Sequence, residues 1–305
     1  MSDSIHVVSV SLGSSLRDKS IIVTLGNFQV HIERIGTDGD MNAAIKMIND
    51  FDGKIDAIGL GGIDLYLIAN GKKYTIRDAR KMADAAKITP VVDGSGLKHT
   101  LERRVIQKIS DDGIINFKDK KVLLVSGVDR FGMAEILPEL GAKVMYGDVI
   151  FALGMPIPLR TLNQLKFIAA LLLPIITIMP FDMIYPTGEK QEKTTSKYGK
   201  YFDEADIIAG DYHYINRYMP EKMQDKIIIT NTTTAADIEK LRLRGVKMLI
   251  STTPEFDGRS FGTNVMEAVI IAMTKKRPED MKPEDYLKTL DELGWQPRVV
   301  NLEEK

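Results

Sequence analysis

Residues 121–134 read KVLLVSGVDRFGMA: an apolar run, a glycine turn and the opening of a helix. An unbroken apolar run bounded by a turn is the pattern of a strand buried on both faces, as in parallel sheets. Gly127 and Gly132 stand at the first and third glycine positions of a G-x-G-x-x-G turn, and Asp129 stands at the second. The next strand signal, AKVMYGD over 142–148, ends on Asp148. That acid follows Gly127 by about 20 residues, the spacing of a carboxylate that hydrogen-bonds a ribose. Working outward, DIIAG (206–210), KIIIT (226–230) and KMLIS (247–251) are further buried-strand runs, separated by helical stretches at 234–244 and 263–274. Strands alternating with helices predict a Rossmann-like, doubly wound parallel sheet. It should cover residues 119–305, with a less regular insertion at 149–200 and a C-terminal helix around EDYLKTLDEL.

The first 118 residues predict a separate α/β domain. HVVSVSLG (6–13) is followed by SIIVTLGNFQVHIERI (20–35), a hairpin turning at Gly26-Asn27. Asp40 and its neighbours offer capping oxygens to a helix over AAIKMINDF. IDAIGLGGID (55–64) reads as a strand, Asn70-Gly71 as a hairpin turn, and TPVVDGSG (89–96) as another strand. In the helix at 97–110, Leu97, Leu101, Val105, Ile106 and Ile109 share one face.

Composition narrows the function classes. Lys and Arg number 41 against 42 Asp and Glu, so no bulk field recruits nucleic acid or an anionic membrane. There is no cysteine, hence no disulfide, thiolate nucleophile or cysteine-based metal site. The start, MSDSIHVVSV, lacks the pattern of a secretory signal, which predicts a cytoplasmic protein. FIAALLLPIITIM (167–179) is uncharged but too short to span a bilayer, and Pro174 is expected to break it. Within 149–186 it reads as a buried helix pair or a homodimer interface; a lipid-facing patch is the other reading.

The turn at 126–132 admits two uses. As a dinucleotide site, Gly127, Asp129, Arg130, Phe131 and Gly132 would lie under the pyrophosphate, at the positive end of a helix. Asp148 on the ribose would favour NAD over its 2′-phosphorylated form. Asn231, Thr232, Thr252 and Thr253, on the loops after two later strands, would sit near the nicotinamide ribose or simply cap helices. In the alternative, Asp129 fills or caps the turn, and the scaffold holds another nucleotide or metabolite. For acid–base chemistry the candidates are Lys98, in VVDGSGLKH, with Asp93 or Asp64 as its partner; an ordinary solvated lysine and turn carboxylates are the plain alternatives. No histidine pair at helical spacing and no acid-rich loop suggests a metal.

The glycine turn VSGVDRFGMA and the strand pattern over 119–265 make the C-terminal half resemble the dinucleotide domain of the shikimate/quinate 5-dehydrogenase group. The resemblance implies an N-terminal α/β substrate domain, an NAD(P) cofactor, a lysine–aspartate pair that moves the proton, and a small cyclic hydroxy acid as substrate.

Overall fold

The computed structural model describes residues 3–69, 71–184, 195, 197–253, 255–256 and 259–303. In chain order, β1 (Asp3–Ser11) leads to the hairpin of β2 (Lys19–Leu25) and β3 (Phe28–Gly36), then α1 (Met41–Phe51) and β4 (Ala57–Gly61). A second hairpin, β5 (Tyr66–Ala69) and β6 (Lys72–Thr75), precedes α2 (Arg77–Ala83), β7 (Val91–Val92) and α3 (Ser95–Asp111). Next come β8 (Lys121–Leu124), α4 (Phe131–Glu139), β9 (Lys143–Tyr146), α5 (Asp148–Phe151), α6 (Leu162–Ile176), α7 (Phe181–Ile184) and α8 (Gly199–Glu204). The chain continues through β10 (Ile207–Ala209), α9 (Tyr212–Tyr218), β11 (Ile227–Thr230), α10 (Ala235–Leu243) and β12 (Met248–Ser251). It closes with β13 (Glu255–Phe256), β14 (Arg259–Ser260), α11 (Thr263–Thr274), α12 (Pro283–Glu292) and β15 (Arg298–Asn301).

These elements form two compact units. One comprises Met1–Thr100, Leu172–Gln191 and Gly262–Trp295; the other comprises Leu101–Leu171, Glu192–Phe261 and Gln296–Lys305. The expected cut near residue 118 is therefore replaced by an interleaved division, because α11 and α12 belong with the N-terminal sheet.

The first unit's sheet runs β2-β3-β1-β4-β7, parallel except for β2. Local chemistry explains its parts. Gly26 takes φ +57° in the turn between β2 and β3, a value that suits glycine. Asp40 caps α1 by accepting from the amide of Ala43 at 2.9 Å. The second hairpin forms as expected, with Gly71 at φ +69°; Asn70 lies outside the described residues.

Helix α11 lies against this sheet because glycines clear its path. A β-carbon on Gly59 would meet the backbone oxygen of Asn264 at 2.8 Å, and one on Gly94 would meet the Asn264 nitrogen at 2.6 Å. Asn264 Nδ2 donates to Ser9 Oγ at 2.9 Å. The glycine-rich stretch at 59–62 thus serves helix packing.

The second unit's sheet runs β15-β12-β11-β10-β8-β9. β9, β8, β10, β11 and β12 are parallel, and β15 joins antiparallel to β12. This is the doubly wound α/β class, with the order reversing between β8 and β10. β15 and α9 carry no strong periodic signal and were not expected. Apolar residues of β8, β10, β11 and β12, such as Leu123, Ile208, Ile228 and Leu249, are buried together with Phe151, Phe202 and Tyr212.

The insertion is more regular than its sequence suggests. α6 passes through Pro174 and ends two residues later at Ile176, so the proline, which has no amide to donate to the carbonyl four residues before it, falls in the last turn instead of splitting the helix. Leu165, Ala169 and Leu173 are buried. The opposite side presents Phe167 at 68% exposure and Leu171 at 56%, together with Ile175 and Ile178. Among the described residues no helix is long and apolar enough to cross a membrane.

One buried acid ties the first unit together and makes it pH-sensitive. Glu267 of α11 accepts from the amide of Gly94 at 2.6 Å and from the Tyr286 hydroxyl at 2.7 Å. Burial, then the nearby Asp93 carboxylate, push its pKa up to about 7, against the opposing hydrogen bonds from Tyr286 and Gly94. The folded state therefore binds this proton more tightly than the unfolded chain does. Stability from this group should be complete below the unfolded value of 4.5 and lost as pH rises through about 7. Burial raises Asp148 in the second unit to about 6, which adds a slope of the same sign. Denaturant unfolding of wild type and Glu267→Gln between pH 4.5 and 8 should show a loss of stability in wild type that exceeds the variant's by roughly 2–3 kcal/mol, the variant keeping only the slope from Asp148. Parallel curves for the two proteins would contradict this assignment.

Candidate functional site

In an open α/β sheet the ligand crevice lies beyond the carboxyl ends of the strands, where the strand order reverses. In the second unit that place is between β8 and β10. It is built from Ser126–Gly132, Asp148, Gly210–Tyr212 and Asn231, with Thr252 and Thr253 on the next loop.

The turn after β8 is closed by the chain itself. Asp148 Oδ2 accepts from the amide of Gly127 at 3.0 Å, and Oδ1 accepts from that of Val128 at 2.8 Å. A β-carbon at Gly127 would lie 3.0 Å from Leu165 Cδ2, 3.0 Å from Tyr146 Cδ1 and 3.1 Å from Asp148 Oδ2. The space over the first glycine is therefore filled by an α6 leucine, a β9 tyrosine and this carboxylate. Asp148 departs from its expected outward role: it spans the turn and serves as its acceptor.

Arg130 precedes α4 and points inward, with 2% of its side chain exposed. A guanidinium cannot be buried without partners. It donates to the fully buried Glu102 of α3 and to Asp211 Oδ2 at 3.0 Å, and Asp129 Oδ2 lies 3.1 Å from its Nε. Burial disfavours its charge, but Glu102, Asp129 and Asp211 outweigh this and hold its pKa above the ordinary value. Asp129 thus faces the Arg130 guanidinium. It is a half-buried member of an ion cluster in which carboxylates outnumber the cation. Phe131 and Gly132 are buried in the first turn of α4.

The threonine loops are largely committed to the scaffold. Asn231 Nδ2 donates to Asp211 Oδ2 at 3.2 Å. The Asn231 backbone carbonyl accepts from Ser251 Oγ at 2.7 Å and from Thr253 Oγ1 at 2.9 Å. The amide of Thr252 donates to the carbonyl of Thr230 at 2.8 Å. The helix cap on this loop is Thr234, which forms a capping box with Asp237. Thr232 lies half-buried between these groups. The hydroxyls of Ser126 and Thr233 are buried without a hydrogen-bond partner among the described residues.

A dinucleotide needs free amide donors and room for its pyrophosphate at this turn. The amides of Gly127 and Val128 are taken, the space over Gly127 is packed, and the surrounding charge is predominantly negative. As folded, the turn does not fit that group.

The first unit presents the acid–base candidates. Lys98 Nζ donates to Asp64 Oδ1 at 2.6 Å, and both side chains are mostly buried. Asp64 follows β4 and Lys98 lies in the first turns of α3, so both stand at carboxyl ends of parallel strands. Asp93 has a different task. Its Oδ2 accepts from the amides of Leu65 and Tyr66 at 2.6 and 2.9 Å, and Oδ1 from that of Ser95 at 3.1 Å. It fixes the loop carrying Asp64, so Asp64 and not Asp93 is the lysine's ion-pair partner.

Comparison with known proteins places the chain among families without an assigned activity. Residues 6–93 match a model described as domain of unknown function (DUF8753). No curated protein matches the chain. Solved structures similar to it include the leucine-bound hetero-hexameric glutamate dehydrogenase from Thermus thermophilus, at 12% identity over 96% of this chain and 74% of that one, with a TM-score of 0.42. A Mycobacterium smegmatis protein in complex with β-D-fucofuranose matches at 9% identity, covering 98% and 92%, with a TM-score of 0.39. L-tryptophan dehydrogenase from Nostoc punctiforme matches at 12% identity, covering 95% and 79%, with a TM-score of 0.36. Values this low give no guide to chemistry. Residues 96–302, more than half of the sequence, match the model described as domain of unknown function (DUF8754), and the chain belongs to that family.

Proposed function

We propose that this protein is a non-redox metabolite-binding protein on a Rossmann-like scaffold whose dinucleotide turn has been given over to internal contacts. One observation carries the reading: both oxygens of Asp148 hold the amides of Gly127 and Val128. The partly exposed carboxylates at the reversal point, Asp129 and Asp211, accept hydrogen bonds and repel anions. The ligand class that suits them is a small polar molecule bearing hydroxyl or ammonium donors, neutral or cationic.

A second reading is favoured by a different observation, the Lys98–Asp64 pair. In it the protein is an NAD(P)-dependent oxidoreductase acting on a small polar alcohol, carbonyl compound or cyclic hydroxy acid. Lys98, oriented by Asp64, gives a proton to the substrate oxygen or takes one from it.

A thermal-shift screen separates the two, because a ligand that binds only the native state at 100 times its Kd stabilises by about 2.7 kcal/mol. NAD, its 2′-phosphorylated form and adenine nucleotides should leave the melting temperature unchanged. Members of a panel of polyols, amino acids and amines should raise it, and Asp129→Asn should weaken that shift. A rise with NAD would overturn the first reading in favour of the second.

The reading includes self-association through α6. A face carrying Phe167, Leu171, Ile175 and Ile178 in contact with water is what a homodimer would cover. Light scattering should give a dimer for wild type and a folded monomer, with a lower melting temperature because the partner's stabilisation is lost, for Leu171→Lys. A monomeric wild type, or a variant of unchanged mass, would refute the interface.

A further inference from the structure

Two of the chain's four histidines meet in the first unit, on strands too far apart in sequence to suggest a pair. β1 and β3 run parallel with His6 opposite His31, and Glu33 follows His31 by two residues on the same face. The imidazole rings stack, with centroids 4.5 Å apart. Both direct Nε2 at Glu33: His6 Nε2 is 2.9 Å from Oε2, and His31 Nε2 is 3.5 Å from Oε1. Ser20, opposite Glu33 on β2, places its hydroxyl 2.8 Å from His31 Nε2 and 3.4 Å from Glu33 Oε1. Among the described residues this is the one group of three such side chains whose ligand atoms lie within 4.8 Å of one another.

We propose that His6, His31 and Glu33 bind one divalent first-row transition-metal ion of the zinc class, with water completing its shell. Two imidazoles and one carboxylate are the donor set such ions prefer, whereas calcium and magnesium call for oxygen donors. An ion at about 2.1 Å from each donor sets the ligand atoms roughly 3.3 Å apart. The present cluster needs to draw in by on the order of 1 Å, which half-exposed side chains on adjacent strands can do by small χ adjustments. The parallel pairing of β1 and β3 supplies the preorganisation, since backbone hydrogen bonds already fix which side chains face each other. On binding, the ion would replace the contacts of His6 Nε2 and His31 Nε2 with Glu33, each neutral imidazole presenting Nε2 as ligand and carrying its proton on Nδ1. A metal there would clamp β1 to β3 and stabilise the folded sheet, since the unfolded chain holds no such site.

The test is calorimetric titration of the full-length protein with zinc chloride, and with cobalt(II) chloride followed by its visible absorption. Wild type should saturate at one ion per chain, and the metal should raise its melting temperature. His6→Ala/His31→Ala should bind at least ten-fold more weakly, while His99→Ala/His213→Ala should match wild type. Glu33→Gln, which keeps both imidazoles, should lose affinity by a similar factor and carries the test if the double variant does not fold. The proposal falls if wild type takes up no ion, or if Glu33→Gln and the His6/His31 variant bind as wild type does. Equal losses in the His99/His213 variant would overturn it as well.

Discussion

A guanidinium with almost no exposure to water has to be met by carboxylates, and the reversal point of the second sheet is organised around that requirement. Arg130 draws Glu102, Asp129 and Asp211 to one place, and Asp211 in turn holds Asn231 and caps α9. Asp148 completes the arrangement from the other side by closing the glycine turn. In a dinucleotide domain the same backbone offers amides and a positive helix end to an anion. Here the acceptors are built in, so the local electrostatics run the opposite way, on a sheet whose parallel strands, β9-β8-β10-β11-β12, still reverse direction of travel at β8.

The first unit follows a related logic on a smaller scale. Its small residues at 59, 61 and 94 let α11 reach the sheet, and Glu267 then locks the helix to the β7–α3 turn. Asp93 accepts from the amides of Leu65 and Tyr66 to shape the loop that bears Asp64, and from that of Ser95 in its own turn. The Lys98–Asp64 pair is therefore held by scaffold contacts as well as by its own side-chain stems.

Periodicity made most of the fold legible. The unbroken apolar runs at 121–125, 206–210, 226–230 and 247–251 became the parallel strands, and the apolar face from Leu97 to Ile109 was buried as its spacing implies. What spacing could not reveal was which way a side chain turns. Asp148 has the separation from Gly127 of a ribose acid, and the same separation lets it fold back onto the turn; its hydrogen bonds to the Gly127 and Val128 amides and the packing of Leu165 and Tyr146 over Gly127 distinguish the two. The return of α11 to the N-terminal sheet depends on glycines whose partner lies some 200 residues away, so the expected cut at 118 could not anticipate it. The meeting of His6 and His31 has the same origin: parallel pairing makes neighbours of residues that no local motif connects. Lys98 and Asp64 were legible because each follows a strand end, although the choice between Asp64 and Asp93 needed the loop's hydrogen bonds.

The claim that Asp148 plugs the turn has one direct measurement, because its two possible roles predict opposite signs. If Asp148 occupies the amides, wild type should bind NAD no more tightly than about 1 mM by calorimetry, and Asp148→Ala, which frees two donors and removes a charge, should bind it more tightly. Micromolar binding by wild type that Asp148→Ala weakens would make the carboxylate a ribose ligand and contradict this account of the site.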